Sequence, residues 1–106
     1  MKRVEYYKTV AGKQPFQEWL SSLDERSQLK IDAYIKRLTL GAARRNIKPL
    51  GDGVYEIKIN YGPGYRAYFG QVGNVMILLL AGGDKSSQFR DIARAKEYWR
   101  DYVSQQ

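Results

Sequence analysis

Apolar and polar residues alternate along the middle of the chain. Every second position of residues 54–61 is aromatic or aliphatic, and this period of two is typical of a half-buried strand. Gly62-Pro63-Gly64 predicts a turn, residues 65–72 a return strand, and Gly73-Asn74 a second hairpin turn. Residues 75–81 are apolar on both faces, which indicates a strand in the middle of a sheet. We therefore predict an antiparallel meander of three strands.

Helical spacing dominates on either side of this meander. A β-rich segment from Arg3 to Val10 precedes a short amphipathic helix that begins at Pro15. Ser22 and Glu25 match a capping box, which predicts a second helix ending near Gly41. A last helix follows Ser86 and Ser87, and its predicted apolar side begins at Phe89. The predicted order is β-α-α-β-β-β-α: one α+β domain over residues 1–106, with two N-terminal helices on one sheet face and a C-terminal helix.

The turn lengths also predict which residues lie opposite one another. A three-residue loop at residues 62–64 sets Lys58 opposite Tyr68 and Asn60 opposite Arg66. One sheet face then collects a set of mostly polar residues: Glu56, Lys58, Asn60, Arg66, Tyr68 and Lys85. A single β-bulge would move part of this set to the other face.

Charge and missing residue types narrow the chemistry. The net charge is +7, which suits a nucleic acid or an acidic protein. The chain has no histidine and no cysteine, which removes disulfides, a thiolate nucleophile and the commonest base and metal ligand near neutral pH. Arg44, Arg45 and Lys48 lie in a stretch without acidic residues and are candidates for phosphate binding, although adjacent surface arginines are common. Asn60 in the meander and Arg90 on the basic side of the last helix complete the predicted RNA-binding set.

No membrane, cofactor or metal signal stands out. No apolar run approaches the roughly 20 residues of a membrane span, and Met1-Lys2-Arg3 leads directly into a strand-like segment rather than a signal peptide. We expect a cytoplasmic protein without a cofactor. The carboxylates match no recognisable metal-ligand spacing.

A face that bears Lys58, Arg66, Tyr68 and Lys85 could act on a phosphodiester. Its cations would stabilise the charge of a pentavalent phosphate. A lysine or tyrosine crowded by cations has a lowered pKa and could take a proton from a ribose 2′-hydroxyl. The alternative is a basic face that only binds an acidic partner segment, and the residue types alone favour this alternative.

Three segments in succession carry a family resemblance. These are Leu50-Gly-Asp-Gly-Val-Tyr-Glu-Ile-Lys58, Gly64-Tyr-Arg-Ala-Tyr68 and Gly83-Asp-Lys-Ser-Ser-Gln88. Together they resemble the RelE/HigB superfamily of toxin–antitoxin toxins, in particular the addiction-module killer branch that is also described as phage-derived Gp49-like. The resemblance implies a compact α+β fold, a cognate antitoxin that is a helix-turn-helix DNA-binding protein, and metal-independent cleavage of messenger RNA on the ribosome through the 2′-hydroxyl.

The resemblance also implies roles for individual residues. Arg66 matches the arginine that contacts the scissile phosphate, Lys58 matches a strand lysine, and Lys85 falls in the basic cluster after the last strand. Glu56 stands where the RelE form has another lysine, and no C-terminal residue clearly matches the family's catalytic tyrosine. Tyr68 and Lys85 are therefore the candidate bases. Two alternatives stay open: a ParE-like gyrase-inhibiting toxin, and a catalytically inactive relative that binds its antitoxin or nucleic acid.

Overall fold

A five-stranded mixed sheet forms the centre of the fold in the computed structural model, which describes residues 1–106. The strands are Arg3–Tyr6 (β1), Ile47–Gly51 (β2), Val54–Ile59 (β3), Tyr65–Val72 (β4) and Met76–Gly83 (β5). The helices are Pro15–Ser21 (α1), Glu25–Thr39 (α2) and Gln88–Ser104 (α3), with short 3-10 turns at Arg44–Asn46 and Lys85–Ser87. The predicted α+β class is confirmed. No helix combines the length and the apolar character that crossing a bilayer requires.

The strand order is β1-β5-β4-β3-β2. β5 lies between β1, which runs parallel to it, and β4, which runs antiparallel. Most of its residues are buried, because it has neighbours in the sheet on both edges and helices against both faces. The prediction of a central apolar strand is confirmed.

Two apolar cores lie on opposite faces of the sheet. The first joins α1 and α2 to the sheet through Phe16, Ile31 and Phe69. The second joins α3 to the sheet through Ala95, Leu78 and other residues. The two N-terminal helices therefore share one face, as predicted, and α3 packs directly on the other face. The Oη atom of Tyr7 donates a hydrogen bond to Asp101, which ties the end of β1 to α3.

The register between β3 and β4 differs from the predicted one by two residues. Lys58 lies opposite Arg66, and Glu56 lies opposite Tyr68. β3 ends at Ile59, so the connection to β4 spans residues 60–64 instead of residues 62–64. A shift of two residues preserves the alternation of faces, and the predicted shared face of Glu56, Lys58, Arg66 and Tyr68 is correct.

Two local predictions are wrong. The segment before Gly51, to which the predicted order assigns no strand, forms edge strand β2. Pro49 is tolerated there because one side of the strand has no partner. The N-cap of α2 is Asp24 rather than Ser22: its carboxylate accepts hydrogen bonds from the backbone N–H and the hydroxyl of Ser27, at 3.2 and 2.6 Å. Ser22 instead ends α1, where its hydroxyl donates to the carbonyl oxygen of Trp19.

Candidate functional site

Charged residues form two rows across the face that α3 partly covers. One row runs from Lys48 through Glu56 to Tyr68, and the other joins Lys58 to Arg66. Lys85 follows β5 on the 3-10 turn and approaches the end of the second row. A Cβ atom at Gly64 would lie 3.3 Å from Nη1 of Arg66 and 3.9 Å from Cβ of Lys85. The structure therefore gathers Lys58, Arg66 and Lys85 at one end of this face.

Arg66 is the buried member of this group. It is 7% exposed, its Nη1 donates to the carbonyl oxygen of Gly64 at 2.7 Å, and its Nε lies 3.7 Å from Oε1 of Glu56. The same carboxylate oxygen accepts a hydrogen bond of 3.1 Å from Nε2 of Gln88, at the start of α3. Glu56 thus forms an ion pair with Arg66 and joins it to α3, while Nε of Arg66 itself has no hydrogen-bond partner. Arg66 itself offers little free surface.

Tyr68 lies wholly inside the fold. It is 0% exposed, and its hydroxyl has no hydrogen-bond partner. Burial raises the pKa of Tyr68 above its ordinary value, and the carboxylates of Glu56 and Asp91 raise it further, while Arg66 lowers it. The predicted lowering of this pKa is wrong, because the nearby carboxylates and burial outweigh the arginine. Tyr68 therefore packs in the core between the sheet and α3. Its hydroxyl is not placed to receive a proton from an external substrate.

Three lysines supply the accessible charge. Lys48 on β2, Lys58 on β3 and Lys85 after β5 are all exposed, and none lies within ion-pairing distance of a carboxylate. Exposed cations without partners are the groups that contact phosphates. The accessible positive charge of this face is therefore lysine, while its arginine is held underneath.

The other predicted phosphate-binding residues are distributed unevenly. Arg44 and Arg45 are exposed on the 3-10 turn that precedes β2 and lies against β3. The residues on either side of this turn, Ala43 and Ile47, pack against the core on the α1 and α2 side of the sheet. Asn60 lies beyond the end of β3, and its backbone N–H donates to Oη of Tyr34 on α2. The prediction that Asn60 lies opposite Arg66 is wrong because of the altered register.

Arg90 lies on the side of α3 that faces away from Lys48 and Lys58. Gln88 reaches Glu56 on β3, whereas Arg90 lines a cavity beside β5 together with Trp19 of α1. Positions two residues apart on a helix point to nearly opposite sides. The predicted RNA-binding set is therefore split between two surfaces of the protein.

Phe89 is the unexpected aromatic residue of this region. Helical spacing predicts this residue on the packed side of the last helix, but it is 93% exposed. Lys96 follows seven residues later, about two helical turns, and so lies on the same side of α3; its Nζ is 3.4 Å from Asp52 in the turn between β2 and β3. Phe89 therefore projects from the flank of α3 that faces β2 and β3. The clue in the sequence was that Ile92, Ala95 and Trp99 already complete a packed stripe.

No group of three or more carboxylates is arranged to hold a metal ion. A surface of exposed lysines with a free aromatic ring is instead suited to single-stranded nucleic acid, because lysines neutralise phosphates and aromatic rings stack on bases.

Comparison with known proteins places this chain in a family. Residues 18–99 match the family described as phage derived protein Gp49-like (DUF891), and the chain belongs to this family. It is also similar to an uncharacterized protein of Haemophilus influenzae, with 46% identity over 82 residues that cover 76% of this chain and 82% of the relative. The Gp49-like part of the resemblance is confirmed, and it is a family of toxin-like, addiction-module proteins. The narrower RelE/HigB assignment stays a prediction.

Proposed function

We propose that this protein is the toxin of a toxin–antitoxin module and that it inhibits translation by cleaving messenger RNA on the ribosome, until a cognate antitoxin neutralises it. The observation that carries the proposal is the pair of exposed, unpaired lysines, Lys58 and Lys85, beside the buried guanidinium of Arg66. Family membership supports the toxin assignment.

The proposed reaction needs only the RNA and these side chains. Lys85 is the proposed acceptor of the proton of the ribose 2′-hydroxyl, while the 2′-oxygen attacks the adjacent phosphorus. The bond from phosphorus to the 5′-oxygen breaks, which gives a 2′,3′-cyclic phosphate and a 5′-hydroxyl. Lys58, as an ammonium group, donates a proton to the departing 5′-oxygen. With Tyr68 buried, Lys85 is the remaining base of the two candidates.

Arg66 and Glu56 contribute by position. The buried guanidinium lies on the same sheet face as Lys58, on the neighbouring strand, and adds positive potential where negative charge develops on the phosphate. Its hydrogen bond to Gly64 and its pairing with Glu56 hold it in place before substrate arrives. The carboxylate of Glu56 is itself buried and directed toward Arg66 and Gln88, so that it does not face the incoming phosphate.

Phe89 gives the surface a base-binding element. An exposed ring on the flank of α3 can stack on an unpaired base while the lysines contact the neighbouring phosphates. Messenger RNA in the ribosomal decoding region is single-stranded, so its bases are free to stack in this way.

The test compares 5′ ends of messenger RNA after induced expression without a partner. We expect ribosome-phased cuts with the natural chain and their loss, by at least about tenfold, in the double variant Lys58→Ala/Lys85→Ala. Both lysines are exposed, so the variant should unfold at the same temperature as the natural chain. Lys13→Ala/Lys36→Ala removes two exposed lysines elsewhere and is the matched control.

The outcomes separate the candidate functions. Cuts that persist at full level in Lys58→Ala/Lys85→Ala would refute the proposed site. Growth arrest without cuts, accompanied by DNA-damage signalling in both double variants, would favour gyrase inhibition. Absence of arrest with the natural chain would leave a binding protein.

A further inference from the structure

The central strand β5 extends beyond its parallel neighbour. Pairing with β1 ends at Tyr6 opposite Leu79, followed by one hydrogen bond of 2.9 Å from the N–H of Tyr7 to the carbonyl oxygen of Leu79. β5 continues to Gly83, where it still pairs with Arg66 of β4. Residues 80–83 consequently have no strand neighbour on the β1 side. An open edge of this kind offers backbone N–H and C=O groups to another chain.

A cavity of about 240 Å³ occupies the position of the missing strand. Trp19 of α1 borders it on one side, and Arg90 and Arg94 of α3 on the other. A Cβ atom at Gly82 would lie 2.1 Å from the Trp19 ring, and one at Gly83 would lie 1.8 Å from Asp91. The two glycines thus allow both helices to approach β5 closely, and the backbone between the helices borders the cavity.

The charged side chains around this cavity differ in whether they have a partner within the chain. The carboxylate of Asp84 accepts hydrogen bonds from the backbone and hydroxyl of Ser86, and that of Asp91 accepts one from Ser87. Arg90 and Arg94 are exposed and have neither an ion pair nor a side-chain hydrogen bond within the chain. The lining therefore combines two carboxylates that accept hydrogen bonds from serines with two arginines that have no partner, and these two arginines are available to an anionic ligand.

We propose that this open edge binds an extended acidic segment of a protein partner, which adds a strand beside residues 80–83. Side chains on one face of a strand are about 6.6 Å apart, close to the roughly 6 Å rise between Arg90 and Arg94 on one side of α3. Two acidic residues at alternate positions would meet the two arginines, and the apolar residue between them would pack on Trp19. The proposal rests on the proposed function in one respect, namely that the antitoxin would supply the acidic segment. It does not depend on RNA cleavage.

The experiment titrates the ¹⁵N-labelled full chain with an end-blocked octapeptide that alternates glutamate and valine. We expect saturable shifts at the amides of residues 80–83 and slower hydrogen exchange of the Gly82 N–H, since strand addition protects it. The control peptide has the same sequence and charge but N-methylated backbone nitrogens, and it should not bind, because it lacks the donors that pair with β5.

Protein variants complete the test. Arg94→Glu should weaken peptide binding about fivefold, as expected from reversal of one exposed ion pair, and should leave RNA cleavage unchanged. Arg100→Glu, on the other side of the same helix, should bind as the natural chain does. The proposal is overturned by equal binding of the N-methylated peptide, by shifts centred on Lys48, Lys58 and Lys85, or by no saturable binding. A failure here would leave the messenger RNA experiment unaffected.

Discussion

Arg66 and Glu56 are the pair of residues on which the arrangement of the candidate site depends most. The alternation of β3 and β4 predicted that both would lie on one face, and they do. The sequence did not predict that they would be buried together, because burial here results from α3 packing over the face. The same packing encloses Tyr68. The alternation of the strand alone gave no sign that its hydroxyl would be covered.

We predict that Arg66 and Glu56 make strongly non-additive contributions to the free energy of unfolding. Each side chain is less than a tenth exposed, so removal of one partner leaves an uncompensated buried charge. Glu56→Gln and Arg66→Met should each lower the free energy of unfolding by about 3 kcal/mol, whereas the double variant should cost clearly less than the sum. Urea unfolding followed by tryptophan fluorescence would measure the cycle. Additive single effects would show that the two groups do not stabilise each other.

The helices and strands were predictable to different degrees. The meander β3-β4-β5 and the three helices follow from periodicity, since their apolar faces are regular. β2 escaped prediction because it is a short edge strand containing Pro49, and edge strands need few apolar residues. The start of α2 was misplaced because Ser22 and Asp24 are both good N-cap residues, and the end of α1 already engages Ser22.

The Asp24 cap predicts a pH-dependent contribution of α2 to stability. Hydrogen bonds from the side chain and then the backbone of Ser27 lower the pKa of Asp24 below its usual value. A carboxyl group with a lowered pKa in the folded state stabilises the fold above its unfolded pKa, and this stabilisation is lost as the pH falls through the folded pKa. Asp24→Ala should therefore lower Tm near pH 7, and its difference from the natural chain should shrink below about pH 4.

Asparagine at the same position separates capping from charge. Asp24→Asn keeps a side-chain oxygen for the cap but does not titrate. Its Tm advantage over Asp24→Ala should persist in acid, measured by circular dichroism between about pH 2 and 7. A difference between the natural chain and Asp24→Ala that stays constant over this range would contradict the assigned cap.

At the scale of the whole molecule, α3 separates two of the basic surfaces of this chain, whose net charge is +7. The lysines lie on the side of β2 and β3, and Arg90 and Arg94 lie beside the open edge of β5. Composition predicted a polyanionic or acidic partner, but it could not predict two separate surfaces, because that division depends on how α3 crosses the sheet. The division allows RNA and an acidic peptide to be tested as independent ligands.

Salt dependence should distinguish the contributions to RNA binding. For a short 2′-O-methylated oligouridine, which lacks the reactive hydroxyl, each phosphate contact adds about 0.7 to the slope of log affinity against log salt. Lys58→Ala/Lys85→Ala should therefore reduce the slope by about 1.4, as measured by fluorescence anisotropy. Phe89→Ala should instead weaken binding about tenfold at every salt concentration with the slope unchanged, because stacking releases no counterions.

Val10→Ala provides the matched control for Phe89, since Val10 is 92% exposed and its substitution also removes an exposed apolar side chain. It should bind RNA as the natural chain does. If Phe89→Ala also behaves like the natural chain, the ring takes no part in binding. If removal of the two lysines leaves the slope unchanged, the phosphates are held elsewhere, and Arg44 and Arg45 on the turn before β2 are the next residues to substitute. The combined result would show whether charge and stacking act on one RNA strand at the flank of α3.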